Sequence, residues 1–195
     1  MVVDLGAGDG RFAVATAAGN LDTLAIGVDA HPQAMAVAWR RIQRQKLANV
    51  LLVAARAEAL PPELDGMADA VTIHFPWGSL LAGVLGIDDS EVAAGLARIT
   101  RPGGDVTVVL SVTERERALG LPLLDASLES KLAARHAAHG LALAEWRPAS
   151  LQEIADTRSS WAKRLGAGKG RPAWLLRLVR AQTNRRRRPS SRRAG

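Results

Sequence analysis

Met1 to Gly10 read MVVDLGAGDG, a short apolar run ending on Asp4 and Leu5 and followed by Gly6, Gly8 and Gly10 at alternate positions. Glycines at this spacing let the backbone approach a bound nucleotide-type cofactor. An acid about 20 residues further on is placed to take ribose hydroxyls. Asp29, closing the apolar run LAIGVD, supplies that acid. Two further segments carry chemistry of a different kind. His74-Phe75-Pro76-Trp77-Gly78-Ser79-Leu80-Leu81 sets an indole in a turn between proline and glycine, and Ser159-Ser160-Trp161-Ala162-Lys163-Arg164-Leu165 sets another in a polar, basic stretch. A flat indole at a pocket mouth suits a planar substrate, since stacking on a base contributes about 1–3 kcal/mol.

The elements that must position these residues alternate in type. Val2–Leu5, Leu24–Val28, Val50–Ala54, Ala70–Phe75 and Val106–Leu110 have strand character, and Gly10–Ala18, Pro32–Gln45 and Ser90–Thr100 read as the intervening helices. Pro32 suits a first helical turn, and Arg101-Pro102-Gly103-Gly104 predicts a helix stop followed by a turn. A helix near Ala126–His139, a strand near Leu141–Trp146, a polar segment Ser150–Arg164 and a last strand near Trp174–Val179 complete the chain. Alternation of this kind predicts an α/β fold with a mostly parallel sheet covered by helices on both faces.

A chain of 195 residues with 48% apolar residues suits one domain. No apolar run reaches membrane-spanning length, and Met1 leads into the first strand without a charged leader, so a cytoplasmic protein with no membrane partner is expected. Absence of cysteine excludes disulfides, thiolate metal sites and cysteine nucleophiles; no metal is expected. The net charge of +7 is mostly local: Thr183 to Gly195 holds six arginines and no acid, leaving the body close to neutral. Residues 1–182 are expected to form the domain and 183–195 a basic, disordered tail. On the body, Arg40, Arg41, Arg44 and Lys46 form a local cationic stripe suited to phosphates, with Arg40 and Arg44 on one helix face.

The form Gly6-x-Gly8-x-Gly10, with Asp4 before it, resembles S-adenosylmethionine-dependent methyltransferases more than nicotinamide dehydrogenases, and Ala57-Glu58 after the third strand fits residues that flank the adenine in such enzymes. Phe75–Leu81 together with Ser160–Leu165, and Gly120-Leu121-Pro122-Leu123-Leu124 between them, are similar to the 16S ribosomal RNA adenine-1408 N1-methyltransferases of the aminoglycoside-resistance type, over nearly the whole chain to about Val179. The resemblance implies a Rossmann-like class I methyltransferase with a seven-stranded, mostly parallel sheet, using S-adenosylmethionine and releasing S-adenosylhomocysteine. It implies that Asp4, Gly6, Gly8, Asp29, Ala57, Glu58, Ser79 and Ser159 line the cofactor site. Trp77 and Trp161 would sandwich the flipped adenine of 16S rRNA in the small ribosomal subunit, and Arg40, Arg41, Arg44, Arg164, Lys169 and Arg171 would contact RNA. A monomer is expected.

Adenine N1 is a neutral lone pair at pH 7, so orientation can carry the rate without a general base, and its place on the Watson–Crick edge requires the base to be extruded. His74 therefore reads as a hydrogen-bonded structural residue. The sequence departs from the family pattern at Leu119, where a basic residue is usual, and in its arginine tail. Members also carry a segment before the first strand, so Met1 is open to being a truncated or misassigned start. A same-fold methyltransferase of another RNA or a small molecule, and a non-catalytic RNA-binding protein, are the alternatives.

Overall fold

Val2–Leu5 forms β1, a strand whose apolar residues sit in the middle of a seven-stranded sheet of order β3-β2-β1-β4-β5-β7-β6. The flanking strands are β2 (Ala25–Asp29), β3 (Val50–Ala54), β4 (Ala68–His74) and β5 (Thr100–Leu110), all parallel to β1. β6 (Leu141–Pro148) and β7 (Trp174–Arg180) close the sheet, with β7 inserted antiparallel between β5 and β6. The computed structural model describes residues 1–87, 91–160, 162, 166–167 and 171–182, apart from the side chain of Arg115. The tail expected over 183–195 lies outside the described residues.

Strand pleating sorts the helices onto two faces. Val3, Leu5, Val71, Ile73, Val106 and Val108 pack with α3 (Gly78–Leu85), α4 (Val92–Ile99) and α6 (Glu129–Ala137). On the opposite face, Ala25 and Val50 pack with α1 (Arg11–Gly19) and α2 (Pro32–Gln45), which buries Met35, Ala38 and Ile42 at helical spacing. Val109 and Leu175 join a separate small cluster with Ile154 of α7 (Leu151–Asp156). Strands on a parallel sheet end at one rim, and the loops after β1 to β4 all open there, which is where ligands bind in such sheets.

The expected strands all form, with ends displaced by a residue or two except at β5. There the anticipated turn at Arg101–Gly104 is instead part of the strand: Thr100 pairs with Ala68, pairing resumes at Asp105 with Ala70, and the residues between bulge outward. Gly103 takes φ 78°, and a Cβ on Gly104 would lie 2.9 Å from the Asp69 carbonyl oxygen, so both glycines serve the bulge. The expected helix near Ala126–His139 begins as a 3-10 turn over Ala126–Leu128, capped by Asp125, and becomes α-helical at Glu129. The polar segment after Ser150 contains α7. That helix was not foreshadowed, nor were α3 and α5 (Glu114–Ala118), which Thr113 and Glu116 start with a reciprocal capping box.

Candidate functional site

The glycine loop is sewn to the end of β2. Gly6 and Ala7 donate their N–H groups to the Val28 carbonyl oxygen at 2.8 and 3.0 Å, and Gly8 N–H donates to Asp29 Oδ2 at 2.8 Å. His31 N–H donates to Asp29 Oδ1, also at 2.8 Å, so the carboxylate is oriented by two backbone donors. A Cβ on Gly10 would lie 2.4 Å from the Ala38 Cβ, and one on Gly6 would lie 2.9 Å from Leu80, whereas Gly8 faces open space. Two glycines thus allow close packing and the third leaves room for a ligand.

A cleft of about 440 Å³ opens above this loop. Gly6, Gly8 and Asp29 line it together with Ala57, Glu58, Trp77 and Ser79. Glu58 is half-buried; a hydrogen bond from Ser79 holds its carboxyl below the ordinary carboxylate range, more than burial raises it. Its Oε1 is buried without a hydrogen-bond partner. An unsatisfied acceptor beside a glycine loop is the group expected to receive a donor from a ligand, so the residues present fit a nucleoside cofactor.

A second depression, of about 420 Å³, shares Gly6, Gly8 and His74 with the first and adds Asp4, Asp9, Arg11, Phe12, Arg158, Ser159 and Ser160. Asp4, only 3% exposed, accepts a hydrogen bond from the Thr72 hydroxyl at 3.2 Å, and His74 Nδ1 lies 3.4 Å from the same oxygen. The His74 ring packs edge-on against Phe12, 4.4 Å between centroids. His74 is accordingly held as the structural partner the sequence suggested. Ser159 accepts from Ala162 N–H and donates its own N–H to Thr157 Oγ1. Ser79 and Ser159, grouped together from sequence, therefore face different depressions of one site.

Trp77 sits at the lip. Phe75, buried, takes φ 50° and Gly78 takes φ 60°, so two left-handed residues bracket the extended Trp77 and turn it outward at the start of α3. A bulky residue in that region is uncommon and marks local strain that the surroundings must hold; Phe75 N–H donates to the Val109 carbonyl oxygen at 2.7 Å. The indole is 60% exposed, with the His31 ring 6.0 Å away. Trp146 and Trp174 are structural instead. They stack on each other at 4.6 Å, and Trp146 donates to the Asp125 carbonyl oxygen. Trp161, Arg164 and Lys169 lie outside the described residues.

The basic residues divide. Arg40 and Arg44 are exposed on α2, whereas Arg41 is half-buried with Nη1 lacking a partner. Arg171, expected as a free phosphate contact, is turned inward with its side chain 14% exposed, 3.5 Å from Glu116 and donating to the Ser111 carbonyl oxygen. Burial lowers its pKa, and Nε is left without a partner. Sequence reading missed His31, Glu116 and Arg158. Position next to Pro32 and next to Ser159 could have pointed to His31 and Arg158, while no local pattern connects Glu116 to Arg171.

Comparison with known proteins gives a consistent result. Residues 1–180 match the family model described as NpmA: 16S rRNA (adenine(1408)-N(1))-methyltransferase. A 16S rRNA (adenine(1408)-N(1))-methyltransferase of Streptoalloteichus tenebrarius is 34% identical over 181 residues, 88% of this chain and 82% of that protein. One from Escherichia coli is 31% identical over 180 residues, 87% and 82% of the two chains. Among solved structures, a tryptophan-to-alanine mutant of the Catenulisporales acidiphilia enzyme with cosubstrate SAM is similar at a TM-score of 0.81 and 32% identity, covering 96% of this chain and 88% of that one. The aminoglycoside resistance methyltransferase NpmB1 is similar at 0.77 and 36% identity, over 92% and 86%.

Proposed function

The chain belongs to the 16S rRNA (adenine(1408)-N(1))-methyltransferase family, and from that premise we propose how its residues divide the reaction. It is an S-adenosylmethionine-dependent enzyme that methylates N1 of adenine 1408 in 16S rRNA. When bound, S-adenosylmethionine would supply a sulfonium methyl group for in-line transfer to adenine N1, with S-adenosylhomocysteine as the product. Asp29 would receive the ribose hydroxyls, Ala57 and Glu58 would flank the adenine ring of the cofactor, and Gly6 and Gly8 would give it room at the backbone. Asp4, Ser79 and Ser159 complete the seat.

Trp77 acts on the substrate rather than the cofactor. It offers one flat wall to the extruded adenine, and Trp161 the second. A base fixed between two rings has its N1 lone pair directed at the methyl group, so rate comes from orientation rather than from proton removal. What supports this most directly is a tryptophan left 60% exposed at the lip of the cofactor cleft.

Arg40, Arg41 and Arg44 on α2, with Arg164, Lys169 and Arg171, hold phosphates of the rRNA and set the register without reading bases. The Glu116 carboxylate, 3.5 Å away, keeps the Arg171 guanidinium in place. The substrate is the assembled small ribosomal subunit, and the enzyme acts as a monomer in the cytoplasm; the described residues include no helix long and apolar enough to cross a membrane. Methylation at this position confers aminoglycoside resistance. Residues 1–182 act as one domain, with 183–195 a basic extension. The deciding experiment incubates protein, methyl donor and purified small subunits and reads primer extension. A stop at the one adenine is expected, and transfer to tRNA or free metabolites with none to subunits would overturn the assignment.

A further inference from the structure

The second depression contains a cation that the roles above leave unused. Arg11 is paired with Asp9 at 2.8 Å, and Asp4 is engaged by Thr72 and His74. Arg158, exposed and lining the same depression, has no ion-pair partner among the described residues. This surplus positive charge lies beyond the glycine loop, on the side away from Asp29 and Glu58. With the nucleoside of the cofactor seated at Asp29 and Glu58, its amino-acid end runs past Gly6 and Gly8 into that depression and brings a carboxylate with it. We propose that the Arg158 guanidinium takes this carboxylate, an assignment that rests on the cofactor seating given above.

Arg158 follows the C-terminus of α7 and takes φ 52°, the left-handed turn with which helices commonly end. Its N–H donates to the Ala155 carbonyl oxygen at 3.1 Å, while Thr157 donates its hydroxyl to Ile154 and accepts from Ser159 N–H. The turn is thus fixed on both sides of Arg158, and the next residues in the chain are Ser159, Ser160 and Trp161.

Calorimetry with S-adenosylhomocysteine and with its decarboxylated analogue tests this directly. Arg158→Ala is expected to weaken S-adenosylhomocysteine binding about tenfold, equivalent to about 1.4 kcal/mol, while leaving affinity for the decarboxylated analogue unchanged; Arg158→Lys retains part of the difference. Wild-type affinity for S-adenosylhomocysteine in Arg158→Ala, or equal loss of both ligands, overturns the proposal. A wild-type protein that binds neither ligand overturns the cofactor seating itself.

Discussion

Replacing Trp77 by alanine removes the exposed wall of the site and little else. The side chain is 60% exposed and belongs to none of the buried clusters, so the folding penalty should be about 0.5 kcal/mol or less, as for other surface changes. Loss of one stacking face on the base costs about 1–3 kcal/mol, which at about 1.4 kcal/mol per decade is roughly a 5- to 150-fold fall in kcat/KM. Misalignment of N1 adds to the loss, because the reaction depends on orientation. Trp77→Phe keeps a flat face and should fall between wild type and alanine. The assay is methylation of small subunits followed by primer extension, with S-adenosylhomocysteine calorimetry alongside. Transfer at the wild-type rate refutes the stacking argument. An equal loss of cofactor affinity also refutes it, by making Trp77 a wall of the cofactor cleft.

The remaining predictions use the same observations. Glu58→Gln should weaken S-adenosylhomocysteine binding about tenfold, on the scale of a lost hydrogen bond to a charged group; because the Ser79 hydrogen bond keeps Glu58 ionised to more acid pH, Ser79→Ala should shift the acid loss of cofactor affinity upward. Arg40→Glu with Arg41→Glu should weaken subunit binding and flatten its salt dependence with cofactor affinity intact, and equal loss of both would refute the division of surfaces. His136, fully buried with Nε2 3.0 Å from the Val84 carbonyl oxygen, has its pKa lowered chiefly by burial. The unfolded chain therefore takes the proton first, and thermal stability should decline as pH falls below about 6.5, a slope that His136→Gln should reduce.

What was legible in the sequence was mostly local. Asp4 and Asp29 lie on adjacent strands whose apolar runs are unmistakable, and Gly6 and Gly8 follow the first of them directly, so a spacing argument suffices to assemble them. Trp77 was recognisable because proline and glycine bracket it, and the left-handed Phe75 shows how sharp that turn is. Long-range pairing was invisible. Arg171 looks from its glycine-rich neighbours like a free cation, and only the fold brings Glu116 against it. The bulge in β5 defeated the turn reading because Arg101–Gly104 looks the same whether the chain reverses or merely bows out of a strand that continues. α3 escaped notice because its Gly78 start and short apolar run look like the end of a loop. On α2, Arg40 and Arg44 are exposed while Arg41 is half-buried, a difference the sequence alone does not display.

Gly6, Gly8 and His74 line both depressions. For a competitive inhibitor this matters more than the size of either hollow. A compound confined to the Asp29 and Glu58 side meets features that many nucleoside-binding proteins offer, and selectivity there is hard to obtain. One that spans the shared residues, with an anionic arm toward Arg158 and a planar group against Trp77, would draw on both depressions at once.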